Sequence, residues 1–363
     1  MSTFKVTVEK IEVVPHPGAD RLELVRVGDY SSIVSKDSFK TGDLVAYIPE
    51  ASIVPLWLQK ELGVDGRLAG PKHDRVKAVR LRGVLSQGLV YPARDYWNVG
   101  DDVTEELQIK KWEPPVPACL AGEVCVGGSN RTISYDIENY KRFPELMPDG
   151  TEVVFTEKLH GTFAQLGVMP DSLRTLDAGS LAVSSKGLAA GGLIMKDNEA
   201  NAKNTYMRVA KSLDIVNRVK SVFDLEKVGP VFILGEVFGS GIQDLTYDAN
   251  SSKDDSIGFR VFDIYVGIPG KGKYNDDIEL SDNCDKLGLT RVPVLYRGPF
   301  TKEVMDKYTS GHETVTGKAR HIREGIVMRP RLEMKVYDLP GNRLQLKSVS
   351  EAYLIRKNGT EFN

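Results

Sequence analysis

The chain has 363 residues, 41% of them hydrophobic and 27% charged, with a formal charge of −2 at pH 7. That length supports two domains with a sizeable core in each. The near-neutral balance gives no bulk attraction to nucleic acid, and no run of 18 apolar residues is present to cross a membrane.

The N-terminal MSTFKVTVEKIEVV is neither a signal peptide nor an Arg/Ser-rich transit segment, so the expected location is cytoplasmic. Three cysteines, Cys119, Cys125 and Cys284, fit reduced thiols better than a disulfide framework. Cys119 and Cys125 lie in ACLAGEVCVGG with no histidine nearby, which favours plain loop or core thiols over a zinc site.

Residues 1–112 read as all-β. FKVTVEKIEVV and RLELVRVGDY alternate apolar and polar residues, and short apolar runs recur in GDLVAYIP and VKAVRLRGVLSQGLVYP. The turn signals HPGAD, KTGD and RGVLSQG punctuate them at the spacing of a small barrel. Within this half, RLAGPKHDRVKAVRLR concentrates cations around a single acid, Asp74. Such a stripe is either a solvated face or a surface for phosphates, because clustered cations gain from counterion release. Arg75, Lys77, Arg80 and Arg82 are its candidate contacts.

The Pro- and Gly-rich stretch 113–130 is expected to be a linker. Residues 131–363 mix α and β. The stretch NTYMRVAKSLDIVNRVKSVF has a helical period, whereas PVFILGEVFG, IGFRVFDIYVG, REGIVMRP and NRLQLKSVS read as strands. VGIPGKGKYNDD is a loop or hairpin tip. Several of these apolar segments carry an ionisable residue: Lys158, Glu236, Asp263, Glu324 and Lys347. Buried charge is costly unless paired or bound to a ligand, so five such residues point to one shared polar cleft. Two lysines, several carboxylates and a glycine-flanked turn suit a nucleoside triphosphate and a divalent metal.

The order of these segments carries a resemblance. TEKLHGT, residues 156–162, has the K-x-H-G form of the covalent nucleotidyltransferase motif. SSKG (184–187), LGEVFG (234–239), FRVFDIYVG (259–267), EGIVMR (324–329) and LQLKSVS (344–350) follow in the order of that superfamily's remaining motifs. VVPHPGADRLELVRVGDY resembles the opening of a tRNA-binding type of OB-fold. Together they resemble the Deinococcus-type ATP-dependent RNA ligases. That resemblance implies an N-terminal all-β OB-fold barrel and a C-terminal α+β nucleotidyltransferase domain, similar to that of DNA and RNA ligases, with mixed and antiparallel sheets.

The resemblance also implies roles. Lys158 would carry AMP from ATP, with His160 beside the phosphate. Glu157, Gly161, Lys186, Glu236, Phe262 and Lys347 would bind nucleotide, with Glu236 at the ribose, Phe262 on adenine and Asp263 supporting the site. Glu324 would hold Mg²⁺ or Mn²⁺, and the OB half would hold RNA with a 3′-OH and a 5′-phosphate. No membrane partner or oligomer is indicated. One departure stands out: the family's last motif usually has lysines in K-x-K spacing, and Gln345 occupies the first position. A DNA ligase or capping-type enzyme is the nearest alternative, and an RNA-binding protein with an inactive catalytic half the more distant one.

Overall fold

In the computed structural model, which describes residues 4–250, 253, 256–357 and 359–360, the alternating stretch FKVTVEKIEVV is a strand bent at Ile11. Its first part, Thr7–Lys10, pairs antiparallel with Leu44–Ile48, which also pairs with Leu89–Pro92. Its second part, Glu12–Pro15, pairs with Leu22–Val27, and that strand pairs with Tyr30–Ser35. The bend lets one strand serve two small cores. One gathers Val8, Ile48 and Leu58; the other gathers Val25, Val45 and Tyr47. The ladders form two three-stranded sheets joined at the bend, without a closed ring of pairs among the described residues.

RLRGVLSQG forms a hairpin of Val79–Leu81 with Val84–Ser86. Its turn residues Arg82 and Gly83 sit at φ +48° and +87°, the consecutive positive values that a two-residue turn needs to match the twist of its strands. Val79–Leu81 is exposed throughout, while Val84–Ser86 packs against the domain, the Ser86 hydroxyl accepting from the Ile33 N–H at 3.0 Å. Within 113–130, Val124–Val126 pairs with Leu193–Met195, and the Asn204 side-chain amide donates to the carbonyls of Leu120 and Ala121.

The C-terminal half is built on two five-stranded sheets. The first runs in the order Glu138–Asn139, Leu346–Val349, Gly325–Pro330, Glu152–Lys158 and Val294–Pro299; only the contact between its first two strands is parallel. The second is antiparallel throughout, in the order Leu181–Ser184, Thr162–Val168, Val231–Phe238, Gly258–Val266 and Lys273–Tyr274. The last pair closes VGIPGKGKYNDD into a hairpin tip.

The single helical period of NTYMRVAKSLDIVNRVKSVF becomes two helices, Thr205–Ser212 and Ile215–Val222. Asp214 breaks them at φ +47°, a conformation that a short polar side chain tolerates, and it accepts a hydrogen bond from Asn217 at 2.9 Å. The break leaves Tyr206, Val209, Ile215 and Val219 in one core against the second sheet. The two halves meet through Lys302 and Asp29, 3.4 Å apart, and through an ion pair of Arg80 with Glu351.

Candidate active site

The strand Glu152–Lys158 ends with Lys158 opposite Gly325 in the first sheet. The chain then turns through Leu159–Gly161 and re-emerges in the second sheet as Thr162–Val168. Lys158 therefore stands at the seam where the sheets meet. The turn depends on Gly161: a Cβ there would lie 2.2 Å from the Val237 carbonyl oxygen. Close approach also lets the Gly161 N–H donate to Glu236 Oε1 at 3.1 Å. The turn thus delivers the Lys158 amine from between apolar strands to a cleft between the sheets.

That space is a cleft of about 250 Å³. Lys158, Lys186, Glu236, Phe262 and Lys347 line it together, as the sequence suggests, and Glu157 and Gly161 contribute to its wall. Lys158 Nζ lies 2.6 Å from Glu324 Oε1. Burial works to lower the Lys158 pKa, but Glu324 and Glu236 outweigh it and hold the ammonium above its ordinary range. Burial, reinforced by Glu324 and opposed by Lys158, pushes Glu236 up to about 8. Lys347 moves the other way: burial and then the neighbouring Lys186 bring it down to about 8. Lys186 is paired with Asp136 at 2.7 Å.

The donor set fits a hard divalent cation. Glu324 is buried, and its Oε2 has no hydrogen-bond partner; Glu236 supplies further carboxylate oxygen nearby. Among the described residues no group of three or more His, Cys, Asp or Glu side chains forms a metal cage. Mg²⁺ and Mn²⁺ sites shared between one or two carboxylates and a phosphate ligand need no such cage.

The opposite end of the cleft is aromatic. Tyr135 faces Phe163 and Phe262 at centroid distances of 5.6 and 5.4 Å. Phe262 is placed by a bulge: Leu234 pairs with Asp263 but Gly235 pairs with Val261, leaving Phe262 as the extra residue. A bulge re-aims side chains, and here it lines the cleft with Phe262 while burying Asp263 completely. Asp263 accepts from Arg329 at 3.3 Å and is also bonded by Arg343, itself 2.9 Å from Glu333. The Tyr135 hydroxyl lies 3.1 Å from Asp263 Oδ2 and 2.9 Å from Gln345 Oε1.

The His160 ring is outside the cleft lining. Its Nε2 is 2.8 Å from Asp244 Oδ1, its Nδ1 is 2.8 Å from the Tyr353 hydroxyl, and Glu324 Oε2 is 3.9 Å away. Burial notwithstanding, hydrogen bonds from His160, Arg356 and Thr360 hold the Asp244 carboxyl well below the usual carboxylate range. The Glu157 carboxylate accepts from the Thr314 N–H and hydroxyl at 2.9 and 2.6 Å, fixing the loop that leads to Glu324.

The four basic candidates of the N-terminal half also divide. Arg75 stacks over Trp112 at 3.9 Å and Lys77 is half-buried, while Arg80 pairs with Glu351 and Arg82 is exposed in the hairpin turn. Tyr135, Asp136 and Arg329 were not singled out by sequence, and of these only Arg329 carried a signal, as a further charge beside an apolar strand. Arg343, which the sequence offers with Lys347 to cover the lysine missing at Gln345, is bonded to Asp263 and Glu333.

The model of an OB-fold domain matches residues 5–93. No curated protein matches the chain. Among solved structures, a Naegleria gruberi RNA ligase in a lysine-to-alanine form with ATP and Mn is 23% identical, with a TM-score of 0.76 over 97% of this chain and 98% of that one. An apo form of that ligase, carrying an aspartate-to-alanine change, gives 0.77 over 98% of each chain at 23% identity. The same ligase with PPi gives 0.75 at 23% identity over 96% of this chain and 97% of that one. These likenesses establish the two-part fold, an OB-fold domain followed by a nucleotidyltransferase domain. The RNA ligase model matches residues 151–347, the stretch that builds nearly all of both sheets apart from the edge strand Glu138–Asn139 and all but the Tyr135–Ile137 edge of the cleft, and the chain belongs to the RNA ligase family.

Proposed function

We propose that this RNA ligase uses ATP and a divalent metal to join a 3′-OH to a 5′-phosphate, with Lys158 as the temporary carrier of AMP. The observation that carries the reading is the Lys158 amine at the seam of the sheets, 2.6 Å from Glu324, in a cleft shared with Glu236, Lys186 and Lys347. The solved Naegleria ligases contain ATP or AMP with Mn, or PPi, which supports the same ligands here.

In the first step the Lys158 nitrogen attacks the α-phosphorus of ATP; an N–P bond forms and the bond to pyrophosphate breaks. The ammonium must lose a proton first, since only the free amine is nucleophilic. Glu324 and Glu236 are the groups that keep that proton on; a cation held by their oxygens would weaken that hold, and the proton would pass to solvent at the partly exposed amine. Bound metal supplies charge neutralisation for the triphosphate, and the oxygens of Glu324 and Glu236 are suited to hold it. Lys186 and Lys347 offset charge on the α-phosphate as it becomes pentavalent. A 5′-phosphate oxygen of RNA then takes AMP, freeing the lysine. Finally a 3′-OH attacks that phosphate and AMP leaves.

His160, held between Asp244 and Tyr353, serves this reading by fixing the turn that carries Lys158. The exposed hairpin with Arg80 and Arg82, together with Arg75 and Lys77, supplies phosphate contacts for RNA. The three cysteines, none in a disulfide, accord with work in the cytoplasm. Intact-mass measurement after incubation with ATP and Mg²⁺ or Mn²⁺ tests the core of the proposal. Wild type is expected to gain one adenylate and Lys158→Ala none; an adduct on the variant, or on neither, would overturn it.

A further inference from the structure

Gln345 stands two residues before Lys347, so in extended chain both side chains leave the same face about 7 Å apart. Lys347 belongs to the charged end of the cleft. Gln345 belongs to the aromatic end, against Tyr135, where a flat base stacks most favourably. Its side chain lines the cleft while only 5% of the residue is exposed. One end of the amide meets Tyr135 at 2.9 Å. The other end, Nε2 as placed, has no hydrogen-bond partner among the described residues. A nearly buried amide with one terminus uncommitted, at the wall of a ligand cleft, is a group waiting for a ligand atom.

We propose that the Gln345 amide reads position 6 of the purine, accepting a hydrogen bond from the 6-amino group of adenine and rejecting the 6-oxo group of guanine. The proposal rests on the reading of the cleft as a triphosphate site given above.

The direction of the bond follows from counting protons. Tyr135 has one hydroxyl proton, and burial followed by the charge of Asp263 raises its pKa well above the ordinary value, so the proton stays. Two oxygens compete for it, Asp263 Oδ2 at 3.1 Å and Gln345 Oε1 at 2.9 Å. The Asp263 carboxylate, clamped by Arg329 and Arg343, is the stronger acceptor. With the proton given to Asp263, the Gln345 carbonyl would face a bare hydroxyl oxygen. The two ends of an amide have the same shape, so turning it costs no packing. Its NH₂ then donates to Tyr135, and its carbonyl faces the cleft. Adenine meets that carbonyl with an N–H. Guanine meets it with an oxygen and could be accommodated only by turning the amide back, which restores the competition for one proton.

The test compares lysyl-nucleotide formation by wild type with ATP, GTP and purine riboside triphosphate, which is ATP without its 6-amino group. ATP is expected to be preferred over both by about ten- to a hundredfold in rate at limiting nucleotide. Gln345→Lys, which offers only donors, should narrow the advantage of ATP over the 6-unsubstituted analogue to within about threefold. Equal wild-type rates with ATP and the analogue would overturn the inference while leaving the adduct chemistry standing. No adduct with any triphosphate would overturn both. The decisive comparison uses wild type alone, so a variant that fails to fold does not blunt it.

Discussion

On the hairpin of the N-terminal domain, Arg82 stands in solvent and Arg80 reaches across to Glu351 at the surface, both groups roughly half exposed. In the C-terminal domain, Asp263 is wholly buried beside the cleft between Arg329 and Arg343, and within the cleft Lys347 is crowded by Lys186. Surface cations cost little to place and are screened by salt, so they act by number. Buried ones cost much to place and act singly, each with a fixed partner or a displaced pKa. On the function proposed above, the two halves spend charge on different tasks: loose retention of a long polyanion in one, chemistry at a single phosphorus atom in the other.

Three measurements would break or sharpen this contrast. The largest effect is expected from Asp263→Ala, which leaves two buried guanidiniums with only Glu333 as counter-charge; urea unfolding should show a loss of about 3–5 kcal/mol. A loss below about 1 kcal/mol would mean that the buried network is no more costly to break than a surface pair.

A smaller effect concerns pH. Lys347 is depressed to about 8, so its charge is complete below that pH and lost as pH rises through it, whereas a solvent lysine stays charged to beyond pH 10. Glu236, at about 8, gains negative charge over the same interval. Affinity for an ATP analogue that cannot be cleaved between its α- and β-phosphates, measured by calorimetry on the wild-type protein, should weaken about tenfold from pH 7 to pH 9.5. Lys347→Arg should remove the lysine's share, because a guanidinium does not titrate there, and Glu236→Gln the remainder. A flat profile with both native residues in place would contradict the assignment. The stability sign is opposite for the two groups. The raised value of Glu236 favours folding below its unfolded value and loses that contribution as pH climbs to 8. The depressed value of Lys347 penalises folding below 8 and relents toward 10.5.

The smallest effect is expected on the hairpin. Arg82→Glu should weaken RNA binding a few-fold at moderate salt and lower the salt slope by about one, with adenylylation intact. Arg80→Glu should do the same and also loosen the contact between domains, seen as faster hydrogen exchange in Glu351–Leu354. Identical behaviour of the two variants would deny Arg80 its second role.

The fold class and most of the cleft were readable because the cost of burying charge leaves a mark: Lys158, Glu236, Glu324 and Lys347 each interrupt or end an apolar run, and the structure brings them together. Tyr135 left no such mark. It lies in polar SYDIENY, and its partner Asp263 is 128 residues away, a contact set by tertiary pairing and not by local pattern. The clasp of Asp244, Tyr353 and Arg356 around His160 was hidden for the same reason. Asp214 was lost within a helical period that continues on either side of it, since periodicity counts apolar positions and overlooks one left-handed residue. Arg329, at the end of the apolar run in EGIVMR, carries the same mark as Glu324, a charge whose burial needs a partner, and finds it in Asp263.

The bulge in the strand Gly258–Val266 has a further consequence at the level of the gene. One supernumerary residue is what lets Phe259 and Val261 before it and Ile264 after it face the same core. In-frame loss of a single codon there would restore strict alternation along the whole strand, so that Phe259 and Val261 could no longer share that core with Ile264. The reading frame of this strand is accordingly less forgiving of deletion than of substitution, and length variation in an otherwise ordinary sheet becomes a means of switching the enzyme off.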